Sequence, residues 1–255
     1  MLDWRVVTRV RVGFLSFTEI TDPGEHRSYN AWHQLDHMPE QYPIPGIVYG
    51  QRWVSTPACR AARAVDGPLL APIHYVTLYL MSEPVEQTLR QFMELGEHLR
   101  VLGRFHEHRR ARLSGPWRVG AMRAAPRVLV SDEAVAFRPT RGVYVVVQAG
   151  AGDAPARAGV GRDLDHGVAD DAWAAALLGL AGVAGVWRFE DLGGDHRRRT
   201  GGRSVTVCFL DEEPLSVAGP IGALAAGGDG RNGPVEFAGP FEAIVPWHWD
   251  WFDEP

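Results

Sequence analysis

Hydrophobic and polar residues are arranged along this chain in blocks, and the blocks recur in the same order in its two halves. Residues 14–20 and 142–149 each carry the two-residue period of a strand. A polar stretch and a helix candidate follow each one, over residues 26–38 in the first half and 170–180 in the second. Residues 45–53 then match residues 181–189, so that Arg52 falls on Arg188 and Trp53 on Phe189. The strand from Val76 matches the strand from Val205, with one residue inserted before the closing proline. Helix candidates over 85–96 and 215–226 come next. Leu113-Ser114-Gly115-Pro116-Trp117 finally aligns with Phe237-Ala238-Gly239-Pro240-Phe241.

This order predicts an α+β protein of two tandem ferredoxin-like βαββαβ repeats, residues 1–124 and 141–246. A linker over 125–140 joins them, and an aromatic tail over 247–255 ends the chain. Each repeat sets an antiparallel sheet under two helices and leaves one sheet face bare. Burying both bare faces requires the sheets to pack face to face as an intramolecular α+β barrel, with a pocket expected between them.

Composition narrows the functions. The 255 residues, 45% hydrophobic and 22% charged, suffice for two modest cores and exclude disorder of the whole chain. No apolar run approaches the roughly 18–20 residues that span a bilayer, and the start at Met1-Leu2-Asp3-Trp4-Arg5 lacks the pattern of a secretory signal. Cys59 and Cys208 stand far apart with no paired spacing, so a reducing, cytoplasmic setting is expected. All 26 basic residues are arginine, which removes Schiff-base and P-loop lysine chemistry. The formal charge of −5 argues against a nucleic-acid partner, and the basic run over 196–203 reads as a solvated hairpin loop.

Trp32-His33-Gln34-Leu35-Asp36-His37-Met38-Pro39-Glu40, followed by Ile44-Pro45-Gly46 and Arg52-Trp53, resembles the dimeric α+β barrel superfamily. The likeness is to its EthD-like proteins, where a helix carrying an aromatic residue and EHMPE precedes PG and an Arg-aromatic strand. Asp36 stands where that pattern often has Glu. The motif-bearing resemblance covers residues 12–54 and implies the barrel fold. It leaves the reaction open, since relatives of this architecture include cofactor-free quinone-forming monooxygenases, polyketide cyclases, lactone isomerases and haem enzymes.

His33, His37 and Glu40 fall on one helical face if the helix continues through Pro39, which ordinarily disrupts one. His33 to His37 also has the outline of an inverted zinc-protease motif with Asp for Glu, for which His74 or Glu40 would be the third ligand. Two histidines are a weak basis for a metal, and no metal is assigned. The favoured reading makes His37 a general acid–base group, oriented by Asp36 or Glu40. The alternative is a helix-end cap on a carbonyl. The repeat favours chemistry: His37 falls on Trp173, His33 on Ala169 and Trp32 on Val168, so only the first helix carries imidazoles.

Alternation puts Tyr49, Gln51 and Trp53 on one sheet face and Arg52 on the other. Tyr49 and Trp53, with Trp32, His33 and His74, are taken as substrate-binding residues. Phe105 to Arg110 is charged enough to read as solvated surface, and Gly227 to Gly233 as a turn. Trp247, Trp249 and Trp251 would share one face of an extended tail docked beside the first-repeat pocket or on another subunit. No GxSxG elbow, Rossmann fingerprint or EF-hand loop is present. The sequence therefore predicts an enzyme without organic cofactor, acting by acid–base chemistry (isomerisation, cyclisation or oxygenation) on a small apolar, aromatic or polyketide-like compound. No membrane partner is expected, and a homodimer is left open. The alternatives are a non-catalytic binding or scaffold protein and a haem protein with His37 or His74 as axial ligand.

Overall fold

The computed structural model describes residues 10–150, 168–227 and 233–253. The N-terminal pentapeptide, most of the glycine-rich turn over 227–233 and the last two tail residues lie outside the described residues. The first half contributes β1 (Val12–Ile20), α1 (His26–Trp32), α2 (Met38–Gln41), β2 (Ile47–Val54), α3 (Pro57–Ala61), β3 (Val65–Asp66), β4 (Tyr75–Met81), α4 (Val85–Val101) and β5 (Arg109–Ala124). The second contributes β6 (Gly142–Gln148), α5 (Val168–Leu178), β7 (Val183–Asp191), α6 (Arg197–Thr200), β8 (Ser204–Leu210), α7 (Pro214–Ala226) and β9 (Val235–Ala243). Among the described residues no helix is long and apolar enough to cross a membrane.

All nine strands belong to one antiparallel sheet ordered β2-β4-β1-β5-β7-β8-β6-β9-β3, and β2 pairs again with β9. Eight strands thus close into a ring, with β3 a short outrigger on β9. The order β5-β1-β4-β2 in one half matches β9-β6-β8-β7 in the other. The sheets of the two halves face each other across an α+β barrel, and the hydrogen-bond ladder joins them into one. At 16 residues β5 is long enough to pair with β1 through its first part and with β7 through its second, so the sheets join edge to edge. Closure satisfies backbone groups that separate sheets would leave on open edges.

The inner faces meet across the ring, and aromatic side chains fill it. Phe17, Trp53, Trp117, Trp187, Phe189, Phe209, Phe237 and Phe241 form one buried cluster with Leu15, Leu78, Val145 and Val207. The segment over 125–140 is more than a connector. Val135 and Ala136 are buried in that cluster, and the Asp132 carbonyl accepts the Trp187 indole N–H at 3.0 Å. The pocket expected between the sheets is therefore core.

The outer faces carry the helices. In the second half Tyr144, Val146, Cys208 and Leu210 pack beneath Leu177 of α5 and Val217 and Ile221 of α7. In the first half the apolar patch is shorter: Val12, Phe14, Tyr79 and Met81 meet Met38, Leu89 and Phe92. Beyond Phe14 the outward positions of β1 become Ser16 and Thr18, both buried. Register sets Ser16 beside Thr77 and Thr77 beside Arg52, a polar row across β1, β4 and β2.

The tail does dock, but folded rather than extended. A left-handed Trp247 (φ 71°) and turns at Val245–His248 and Asp250–Asp253 redirect it. Trp247 stays 68% exposed while Trp249, at 6%, packs with Ile20, Tyr29, Val54 and Tyr75. Phe252 stacks on His26 with centroids 3.7 Å apart, and Asp253 pairs with Arg27. Deleting residues from Trp247 onward should lower the melting temperature by several degrees, because removing one buried tryptophan alone costs about 3–5 kcal/mol. Unchanged melting would mean that the docked aromatics contribute nothing. Gly13 tests the join between the halves: a Cβ there would lie 2.4 Å from the Phe189 ring. Gly13→Ala should destabilise by about 1–3 kcal/mol in urea unfolding, as overpacking does; a neutral effect would show the seam to be loose.

Candidate functional site

The helix over the polar row runs unbroken from His26 to Gln41 but changes pitch in the middle. Residues His33–His37 form a π-helical turn, closed by the Met38 N–H donating to the His33 carbonyl. An α-helix would press the Pro39 ring against the carbonyl one turn earlier; the wider turn relieves this and carries the helix past the proline. It also leaves the His33 and His37 rings 5.2 Å apart, both facing the sheet side and only 3% and 8% exposed. Trp32 stacks on His37 at 4.7 Å and Phe105 meets its edge at 5.1 Å.

Arg52 rises from β2 beneath these imidazoles and is 2% exposed. One terminal nitrogen, Nη2, donates to Asn30 Oδ1 at 2.8 Å, and the guanidinium lies 5.2 Å from the Tyr29 ring centre and 5.7 Å from that of Tyr75. Among the described residues no carboxylate forms an ion pair with it. Asn30 Nδ2 donates to the Tyr75 hydroxyl at 2.9 Å, and that hydroxyl is hydrogen-bonded to His26 Nδ1, also at 2.9 Å. A relay thus runs from the docked Phe252 through His26, Tyr75 and Asn30 to Arg52. Arg109, at the start of β5, donates to Ser16 Oγ at 3.3 Å and lies 5.5 Å from the Phe105 ring centre.

Eight buried polar atoms here have no hydrogen-bond partner among the described residues: Nδ1 of His33 and His37, Oε1 of Gln41, Nε and Nη1 of Arg52, Oγ1 of Thr77, the Tyr79 hydroxyl and Nε of Arg109. Buried polar groups are nearly always satisfied, so such a cluster marks where water or a ligand would supply the missing partners. Donors stand on the sheet side and the imidazoles on the helix side. Burial, then the Arg52 guanidinium, holds the His33 imidazole well below its ordinary pKa. Burial, then Arg109, lowers His37 to about 3, against a smaller opposing pull from Asp36. Both rings are neutral at physiological pH and available as proton acceptors.

Among the expected site residues, His33, His37 and Trp32 come together. Asp36 and Glu40 do not orient His37: the π turn points them outward, where Arg104 donates to Asp36 at 2.7 Å and to Glu40 at 2.8 Å. Tyr49 and Trp53 lie on the barrel side of β2, Tyr49 against Phe137 at 5.3 Å and Trp53 within the aromatic core. Strand alternation separated them from Arg52 correctly; the chemistry lies on the arginine's face. His74 stands apart, its Nδ1 accepting the Ile20 N–H at 3.1 Å. Arg52, Arg109, Phe105 and Tyr79 belong to the site although sequence reasoning left them out. An arginine in an otherwise apolar strand was the available signal for Arg52. Nothing comparable marked Arg109 within the charged run over 105–110.

His74 does not fit a haem: accepting the Ile20 N–H leaves its proton on Nε2, the nitrogen that normally reaches an iron. Around His37, Trp32, His33 and Phe105 lie within 4.7–5.2 Å, and its Nδ1 is buried without a partner among the described residues. The metal reading loses its third ligand, since Glu40 is tied to Arg104 and His74 is bonded elsewhere.

No family model and no curated protein matches the chain. Among solved structures it is similar to a protein provisionally described as a chlorite dismutase, at TM-score 0.53 and 9% identity over 96% of this chain and 98% of that one. It also overlaps an anthrone oxidase-like protein (TM-score 0.47, 8% identity, 94% and 93% of the two chains). A chlorite dismutase mutant of Candidatus Nitrospira defluvii with cyanide gives TM-score 0.48 and 11% identity over 92% of each chain. At such identities the likeness is one of fold. The chain has an α+β barrel fold like that of the structure provisionally described as a chlorite dismutase.

Neutral buried imidazoles have a cost at low pH. The unfolded chain protonates each near pH 6.5, whereas folded His37 resists until about pH 3. Their contribution is therefore whole above pH 6.5 and is lost as pH falls toward 3, by up to about 1.4 kcal/mol per pH unit for each ring. Urea unfolding should give a lower stability at pH 5 than at pH 7, with a shallower dependence in His33→Gln/His37→Gln. Equal slopes in the two proteins would show that these rings titrate normally.

Proposed function

We propose that the chain is a duplicated, EthD-like enzyme that uses no organic cofactor and does acid–base chemistry on a small aromatic or polyketide-like molecule. The matched strand orders and the recurrence of the Arg52–Thr77 pair as Arg188–Thr206 support the tandem-repeat reading. The first repeat, residues 1–124, is the active one, and the second, residues 141–246, is degenerate. Trp173 occupies the position corresponding to His37 and donates its indole N–H to the Leu224 carbonyl, a packing role.

One observation carries the reading: two neutral imidazoles face a buried guanidinium, and among the described residues their Nδ1 atoms have no partner and the guanidinium no carboxylate. Proton transfer from carbon beside a carbonyl needs a base and a positive group where negative charge develops on oxygen. His37 takes the proton, with His33 beside it, and Arg52 meets the developing oxyanion. The two functions are coupled. Nearby guanidiniums weaken His37 as a base while the site is empty of negative charge. As the enolate forms, its oxygen offsets them, and proton affinity rises along the reaction. Trp32, Phe105 and Tyr29 supply aromatic walls. Isomerisation and cyclisation follow from such an enolate directly, and oxygenation through its reaction with dioxygen.

β-Tetralone, an aromatic ketone with an acidic methylene group, is a suitable probe. NMR in D₂O should show protein-catalysed exchange at that carbon, reduced about 10²–10⁴-fold by His37→Gln. No catalysis by the wild type, or undiminished catalysis by the variant, would overturn the assignment.

A further inference from the structure

Two guanidiniums at this site keep buried N–H donors without a partner among the described residues. The carboxylates at its margin have partners of their own: Asp36 and Glu40 share Arg104, Glu19 takes Arg112 at 2.7 Å, and Glu25 accepts from Ser28. Arg52 and Arg109 form no ion pair among the described residues. They contact the neutral oxygens of Asn30 and Ser16 and the faces of Tyr29, Tyr75 and Phe105. The imidazoles bring no negative charge, and the Tyr79 phenol keeps its proton because burial raises its pKa. A buried guanidinium is strongly penalised unless it is paired, and contact with aromatic faces offsets only part of that.

From these unpaired guanidinium donors we infer that the site takes a ring compound bearing an anionic oxygen group of the carboxylate type, bound by Arg52 and Arg109. The inference rests on the proposed catalytic site and names its substrate class. Guanidinium is the group suited to a planar oxyanion, and three of its nitrogens here, Nε and Nη1 of Arg52 and Nε of Arg109, lack an acceptor. Aromatic faces stand beside the charge as well: Phe105 contacts both the Arg109 guanidinium and His37, and Trp32 stacks on His37, a setting that suits a ring with an anionic end. Burial is the larger cause of the weakness of His37 as a base, and the bound anion offsets the smaller one, the positive field of Arg109 and Arg52.

Benzoate, benzamide and sulfate separate the contributions. Benzoate at about one hundred times its Kd should raise the melting temperature by about 5 °C or more and perturb tryptophan fluorescence. It should also raise the His37 pKa followed by NMR. Benzamide, the same shape without charge, and sulfate, charge without a ring, should each bind at least about tenfold more weakly. Arg52→Gln should weaken benzoate at least about tenfold. Arg109→Gln, at a less buried position, supplies a second test should the first variant fold poorly. Equal binding of benzamide or sulfate, or benzoate affinity indifferent to both arginine variants, would overturn the inference. β-Tetralone exchange without arginine-dependent benzoate binding would remove the substrate class and keep the catalytic reading. Arginine-dependent binding without exchange would do the reverse.

Discussion

Closure of the strand ring governs everything else in this molecule. Once β5 reaches β7 and β9 reaches β2, no sheet edge remains between the halves. Both inner faces are then committed to one shared interior. Tryptophans and phenylalanines occupy it, and two of the indole N–H groups are satisfied at its margin, Trp117 by the Arg203 carbonyl and Trp187 by that of Asp132. A volume filled this way is mainly apolar core. The buried imidazoles and Arg52 lie on the outer face, in the layer between sheet and helix.

That layer is treated differently in the two halves. Beneath α5 and α7 it is apolar and closed, a second core. Beneath the helical stretch from His26 to Gln41 it turns polar after Phe14, and a buried arginine takes the place of a packed hydrophobe. The π turn belongs to the same design: it carries the helix over Pro39 while setting two imidazoles on the sheet side and two carboxylates on the solvent side. Position in the helix alone thus separates residues of similar sequence neighbourhood into a buried imidazole pair and a surface ion cluster.

The C-terminal tail extends the site's support to the far end of the chain. Phe252 fixes His26, His26 is hydrogen-bonded to the Tyr75 hydroxyl, and Asn30 ties that hydroxyl to Arg52. Each link satisfies a buried polar group that would otherwise be costly. The guanidinium is consequently held in place by neutral partners, which orient it without cancelling its charge.

The sequence by itself determined the alternation of elements, the correspondence of the two halves and the concentration of imidazoles on one helix. Periodicity and internal repetition are local or self-referential signals, and they survive without knowledge of the fold. It also separated Arg52 from Tyr49 and Trp53, because side chains alternate along any strand. Which of those faces is the barrel interior was decided only when distant strands paired, since both faces of β2 carry large side chains. Tertiary structure likewise gave Asp36 and Glu40 to Arg104, gave His74 to the Ile20 backbone, and drew Phe105 and Arg109 out of a charged run into the site. Those outcomes depend on contacts between residues tens of positions apart, where the choice of partner follows from geometry that no local pattern encodes.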